Sequence, residues 1–485
     1  MKKFITLLLT LAMLVSMTVW GGGVAFAAGE DEKEPEETAE PVKDETKENK
    51  GKADKGKEDK EEEEEEELVP FTLEDYKDMF SSGASIEETV LLDDYDVVIT
   101  ATGLEINNYY VELKLTIENN TDQDLKFRLE ESAINGYMQD EAYLYTDVAA
   151  GKKAKDSLKF DVDELALMGI TEVAVIDLTF SAMDKDYDDY FVADPVRLET
   201  SIAGTYEQPE KSFLRAISSK FMMEEAFAYS VDYLSQKEVF SAEDIRIVSE
   251  TLIESDGERT LFLEVENTGK DPRVAAIGYV SVNGLLLYDS AWTSSLIYPG
   301  ARYIASLSLT KIIESDYWEI YGLEEICEIS FFVQVGDGDW EALTELEPAE
   351  TVVVSEKTPT FDDSGEVLYD EDGIRIVFKQ LVPDSSSYSD DIYALLLVTN
   401  ETNVPLNFSV AYSTLYINGF QNSFWCRNMD VTPGTASILE VELYESSLEE
   451  NDISDIADIE EIELTFDIRD ENYKSVAKPT ATITL

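Results

Sequence analysis

The chain has 485 residues, with 37 Lys+Arg against 104 Asp+Glu and a formal net charge of −67. A field of that sign repels nucleic acid and anionic lipid, so neither is expected as a partner. The absence of histidine excludes Ser-His-Asp and Cys-His nucleophiles and removes the commonest zinc ligand, while a hydrophobic fraction of 44% is ample for packed cores.

Residues 1–28 read as a secretory signal peptide. Lys2 and Lys3 precede an apolar run from Phe4 to Trp20, and Ala25-Phe26-Ala27 offers a small-x-small cleavage site. No cysteine follows that site, so lipid attachment is not expected, and no membrane insertion is expected after cleavage. Residues 29–70 form an acidic spacer. Between Glu30 and Glu67 there are 20 acidic and 8 basic residues, ending in seven consecutive glutamates. Such a segment cannot bury enough apolar surface to offset chain entropy, so disorder is expected. Residues 71–87, with Leu73, Tyr76 and Phe80 at helical spacing, predict a short helical lead-in.

Beyond it an internal repeat dominates. Three alternating strands end in asparagine: "VELKLTIEN" (Val111–Asn119), "TLFLEVEN" (Thr260–Asn267) and "YALLLVTN" (Tyr393–Asn400). Period-2 alternation marks a strand with one buried face. An Asn-Gly pair follows 16 to 18 residues later, at Asn135, Asn283 and Asn418, and predicts a type I′ hairpin with both central residues at positive φ. A second glycine turn comes another 16 or 17 residues on, at Gly151, Gly300 and Gly434. A three-spaced apolar pattern then suggests a helical or irregular crossover: Gly169–Ile176, Gly322–Ile329 and Asp455–Ile462. Late strands follow at Ile176–Phe180, Ile329–Val333 and Ile462–Phe466.

These elements predict an all-β protein of three tandem β-sandwich repeats, over residues 88–203, 238–356 and 365–485, with a linker at 357–364. Residues 204–237 stand outside the repeats. Phe213, Ile217 and Phe221 at i, i+4 and i+8 predict a helical insertion, docked on a sandwich or offering Phe213, Phe221 and Phe227 as an exposed aromatic patch.

The strand ending in (Ile/Val)-Glu-Asn, the Asn-Gly-aromatic hairpin and the "GITEV" lead into "IDLTF" resemble repeats of bacterial immunoglobulin-like extracellular domains. These occur in secreted proteins and lipoproteins of Firmicutes. The resemblance covers all three repeats and implies a secreted or cell-surface adhesive or spacer module, with no catalytic residues to carry over. The chain departs from the lipoprotein arrangement in lacking a lipid-attachment cysteine, and from antibody domains in lacking a Cys…Trp…Cys core. Cys327 and Cys426 lie in different repeats, where each reads as a buried small hydrophobe or as half of an interdomain disulfide.

Candidate chemistry is sparse. "MDKDYDD" (Met183–Asp189) holds Asp184, Asp186 and Asp188 at positions 1, 3 and 5 of a calcium loop, but Asp189 and Pro195 replace its glycine and bidentate glutamate. "DKDY", "DGDW" and "DENY" recur at one register after each late strand, which favours a hairpin turn whose aromatic starts the returning strand. Asn119, Asn400 and Asn407 match a glycosylation pattern but suit turns, and Lys114, weighed as an isopeptide donor, falls on a polar face. No catalytic, cofactor-binding or metal-ligating residue is assigned. The expected function is non-catalytic binding or display of an unknown surface protein or glycan, secreted or surface-associated. The alternatives are a calcium-stabilised stalk and a carboxylate-based hydrolase.

Overall fold

The computed structural model describes residues 68–485, apart from 287–290, 310–316, 324, 385–390 and 471. The signal peptide and most of the acidic spacer therefore lie outside the described residues. The described chain is one compact unit, predominantly β, with short helices. No helix among the described residues is long and apolar enough to cross a membrane.

Three successive β-units are each built of two sheets. In the first, one sheet runs through Thr89–Asp94, Val97–Ile106, Tyr110–Asn119 and Lys152–Asp161, all antiparallel. The facing sheet holds Leu125–Ile134, Tyr137–Met138, Val175–Met183 and Val196–Glu199. The alternation seen in sequence is realised: Val111, Leu113, Leu115 and Ile117 are buried between the sheets. The equivalent strands of the second and third units are Glu258–Asn267 and Ile392–Asn400. All three Asn-Gly turns have positive φ at both residues, as at Asn135 (51°) and Gly136 (84°).

Two sets of asparagines explain why the repeat is visible in sequence. Asn119, Asn267 and Asn400 are buried at the strand ends, each amide donating to two backbone carbonyls. The first of these carbonyls lies four residues on, and the second belongs to Val148, Ile297 or Val431. Each side-chain oxygen accepts the backbone N–H two residues on. One side chain thus closes a turn and ties it to another strand, so Asn119 and Asn400 serve structure rather than glycan attachment. The hairpin asparagines do the same for the crossover: Asn135 donates to the Glu172 carbonyl and accepts from Ala174 and Val175. Asn283 and Asn418 repeat that pattern at Glu325 and Asp458.

Short helices at Val162–Leu167, Tyr317–Ile320 and Glu445–Glu449 precede the expected crossovers; the crossovers themselves are irregular over the described residues of the first two units and hold a 3-10 turn, Ile456–Asp458, in the third. In the first, Gly169 sits at φ 73°, and a Cβ there would lie 2.1 Å from the Ser212 carbonyl oxygen, so only glycine lets the insertion approach. The lead-in forms a helix over Leu73–Lys77, opened by a Thr72/Asp75 capping box.

Residues 204–237 are only partly helical. A short α-helix spans Ser212–Ile217 and a π-turn spans Phe221–Ala226. Ser230–Ser235 is then a strand, added antiparallel to Ile245–Ser255 in the second unit. The expected aromatic patch is not exposed: Phe213 and Phe227 are buried and Phe221 is half-buried. They share a core with Phe71, Met222 and Met223, and Phe213 meets Phe262 of the second unit edge-on at 6.3 Å. Apolar side chains at helical spacing were driven inward because two units were there to cover them.

Candidate functional site

The notable geometry lies at the joints between units. In the first joint, Tyr137 of the Asn-Gly hairpin pairs in parallel with Arg302, on the strand Arg302–Ser308 that follows the second glycine turn. The Arg302 N–H donates to the Gly136 carbonyl at 2.8 Å. In the second joint, Leu285 and Leu286 pair in parallel with Ala436 and Ser437, and the Ala436 N–H donates to the Gly284 carbonyl at 3.0 Å. The donor and acceptor occupy the same repeat positions both times. Each joint fuses the second sheet of one unit to the first sheet of the next, giving two sheets of 11 strands among the described residues.

The outer face of the receiving sheet is adapted to this. Phe262 and Leu395 are buried where Lys114 stands in the first unit. Lys114 pairs there with Glu105 on an exposed face, which suits its reading as a solvated lysine. Around Arg302 a polar network closes the first joint. Glu264, 2% exposed, accepts from Arg302 Nη1 at 3.0 Å and from Ser249 at 3.1 Å. The hydroxyl of Tyr137 donates to Glu264 at 3.3 Å and accepts from Ser212 at 2.9 Å. Arg302 Nη2 lies 2.6 Å from Glu266. Burial raises the Glu264 carboxyl above its ordinary range, and Arg302 opposes that rise.

Beside this network a cleft of about 170 Å³ opens between the first and second units, lined among others by Glu131, Asp140, Ser295 and Trp340. Burial, with Asp140 and Glu130 nearby, pushes the Glu131 carboxyl up to about 8. Desolvation also pushes Asp140 up to about 6, although its side chain remains open to the cleft and Tyr303 offers it a hydrogen bond. The half-buried Glu131 is the more enclosed of the two. A carboxyl that keeps its proton near neutrality can donate a hydrogen bond or serve as a general acid.

The acidic loop resolves as a turn. The Asp184 carboxylate accepts the backbone N–H groups of Asp186 and Asp188 at 2.8 and 3.1 Å. Asp337 and Asp470 do the same for Asp339 and Glu341, and for Asn472 and Lys474. The aromatic does not start the returning strand, as the sequence suggested. Tyr187, Trp340 and Tyr473 sit inside the turn at φ 69°, 64° and 57°, and the strands begin at Asp189 and Ser475 in the first and third copies. The N–H groups two and four residues on converge on one carboxylate, with the residue between them turned into the left-handed region. No cluster of three or more metal-ligating side chains occurs among the described residues. Asn407 donates to Asp430 at 2.8 Å across a strand pair. Both cysteines are free; Cys327 is buried, and burial pushes the half-buried Cys426 thiol up to about 12.

The joint residues Tyr137, Glu264 and Arg302 escaped sequence reasoning. The trace of them was the apolar residue after each Asn-Gly pair, together with the Lys114/Phe262/Leu395 contrast.

No family model matches the chain, and no curated protein does. Among solved structures, one from a study of host cell surface retention of a 1.5-MDa bacterial ice-binding adhesin is 12% identical, with a TM-score of 0.13, covering 78% of this chain and 90% of its own. The central fibronectin-III array of RIM-binding protein is 8% identical, with a TM-score of 0.14, covering 83% and 96%. An exo-chitosanase from Amycolatopsis orientalis is 7% identical, with a TM-score of 0.15, covering 83% and 79%. Likeness at this level carries no argument about function.

Proposed function

We propose that this chain is a non-catalytic binding or display protein, secreted or cell-surface-associated, built of three immunoglobulin-like repeats that present a surface to another protein or a glycan. The observation that carries this reading is the pair of sheet-fusing joints, which hold three units as one body while the repeated polar side chains serve turns and latches. Backbone pairing across the joints limits how far the units can turn against one another, which suits recognition without a large ordering cost. The test is to immobilise the full chain and pass over it the surface fraction of the producing cell. Saturable retention of one protein or glycan, competed by free chain, is expected; retention no greater than on an acidic control protein overturns the reading.

A second reading, a carboxylate-based hydrolase, is favoured by the Glu131 cleft. Turnover of a glycan or peptide panel that disappears in Glu131→Gln would establish it, and equal blank rates for both chains reject it. The calcium-stalk alternative loses its main support at Asp184, whose carboxylate already accepts two backbone hydrogen bonds.

A further inference from the structure

The joint is used twice, and the third unit carries its offering half again. Asn418-Gly419 forms the same positive-φ turn, and Phe420 stands where Tyr137 and Leu285 stand. Those two are 2% and 0% exposed beneath the next unit, whereas Phe420 is 56% exposed. Among the described residues, the strand Phe420–Gln421 pairs only with Tyr416–Ile417. The first unit carries the receiving half. Its strand Lys152–Asp161 has one described neighbour in its sheet, Tyr110–Asn119, and so forms the sheet edge.

The chemistry of that edge matches the first joint in register. Lys153 lies opposite Glu118, as Arg302 lies opposite Glu266, and each cation forms an ion pair with its glutamate. Charge is complementary as well. Lys152, Lys153 and Lys155 are exposed along the receiving edge, and Asp458, Glu460 and Glu461 are exposed beside the third hairpin. An exposed aromatic next to an unpaired strand is a template for pairing with another chain.

We propose that the third Asn-Gly hairpin of one copy docks on the strand Lys152–Asp161 of a second copy, reproducing the internal joint between molecules. The Lys153 N–H then donates to the Gly419 carbonyl, as Arg302 does to Gly136, and Phe420 packs beside the Lys153–Glu118 pair as Tyr137 packs beside Arg302. Lys114 replaces Phe262 and Leu395 on the receiving face, so the contact is less apolar than the internal joints and depends more on charge. The interface is heterologous, so it propagates head to tail instead of closing as a symmetric dimer.

Sedimentation velocity of the purified full chain, over a concentration series reaching about 1 mM, tests this without any outside partner. An open-ended series of species is expected, weakened by salt. Phe420→Asp and Lys153→Glu, both at exposed positions, should each lower self-association at least about tenfold with unchanged melting curves. Mixed together, the two variants should form a dimer and nothing larger, because only one intact hairpin meets one intact edge. A monomer throughout, a closed dimer, or association that survives either substitution overturns the proposal. The binding reading is measured separately, on a foreign surface fraction, and neither result decides the other.

Discussion

Single side chains carry much of the order here, and the strand-end asparagines are the clearest case. Asn267 is buried, and its amide serves the carbonyls of Asp271 and Ile297, both at 2.9 Å. Truncation to alanine leaves those acceptors without a donor at about 1–3 kcal/mol per unsatisfied buried group. Asn267→Ala should therefore lower the denaturation midpoint clearly, as urea unfolding followed by circular dichroism would show. Wild-type stability would mean that water replaces the amide. The joint network is more demanding. Removing one partner of a buried ion pair costs roughly 3–5 kcal/mol because the other charge stays buried. Arg302→Ala should approach that figure through Glu264, whereas Glu264→Gln, which keeps the shape and most hydrogen bonds, should cost less. The asparagines were legible in sequence because their backbone partners lie at fixed local spacing. The Glu264–Arg302–Tyr137 network was not, since its members come from two units and only the fold brings them together.

At the level of elements, the hairpins and the aspartate turns divide the repeated motif between them. Leu285 is fully buried, and its unit meets the third at a two-residue pairing backed by Phe361, Val377 and Leu397. Leu285→Asp should uncouple the third unit, splitting a single melting transition into two in calorimetry; one cooperative transition would show that the other contacts suffice. The aspartate turns make the opposite kind of prediction. Asp184 spends its carboxylate on backbone N–H groups, so millimolar calcium should not raise the melting temperature, while Asp184→Ala should lower it. A calcium-dependent rise would restore the cation reading, since ligand held only by the folded state must stabilise it. Strand positions, hairpins and late strands were legible because period-2 alternation and Asn-Gly are local signals. The insertion was half legible. Its helical spacing was correct over Ser212–Ile217, but spacing cannot say whether an apolar face meets solvent or a neighbour. Ser230–Ser235 became a strand because the edge of Ile245–Ser255 was free to pair.

For the whole molecule, pH reports on the first joint. Glu131 is raised from 4.5 to about 8. Between those values the folded chain holds a proton that the unfolded chain releases. This contribution is fully present below the unfolded value and is lost as pH rises through about 8. Melting temperature should therefore drop for wild type relative to Glu131→Gln as pH goes from about 5 to about 8.5. Parallel curves for the two chains would show that the carboxyl is solvated in both states. Much of the chain's acidity plays no such part, lying on exposed faces where it keeps the surface hydrated.

The joints also bear on how such a chain can change over generations. The middle unit carries both halves: an offering hairpin at Asn283–Leu286 and a receiving strand at Arg302–Ser308. A tandem duplication of its coding stretch would bring the Leu285 hairpin of one copy to the Arg302 edge of the next, with backbone donor and acceptor already in register. The number of units can then grow or shrink by recombination alone, and the span of the protein becomes a heritable quantity adjustable in whole steps.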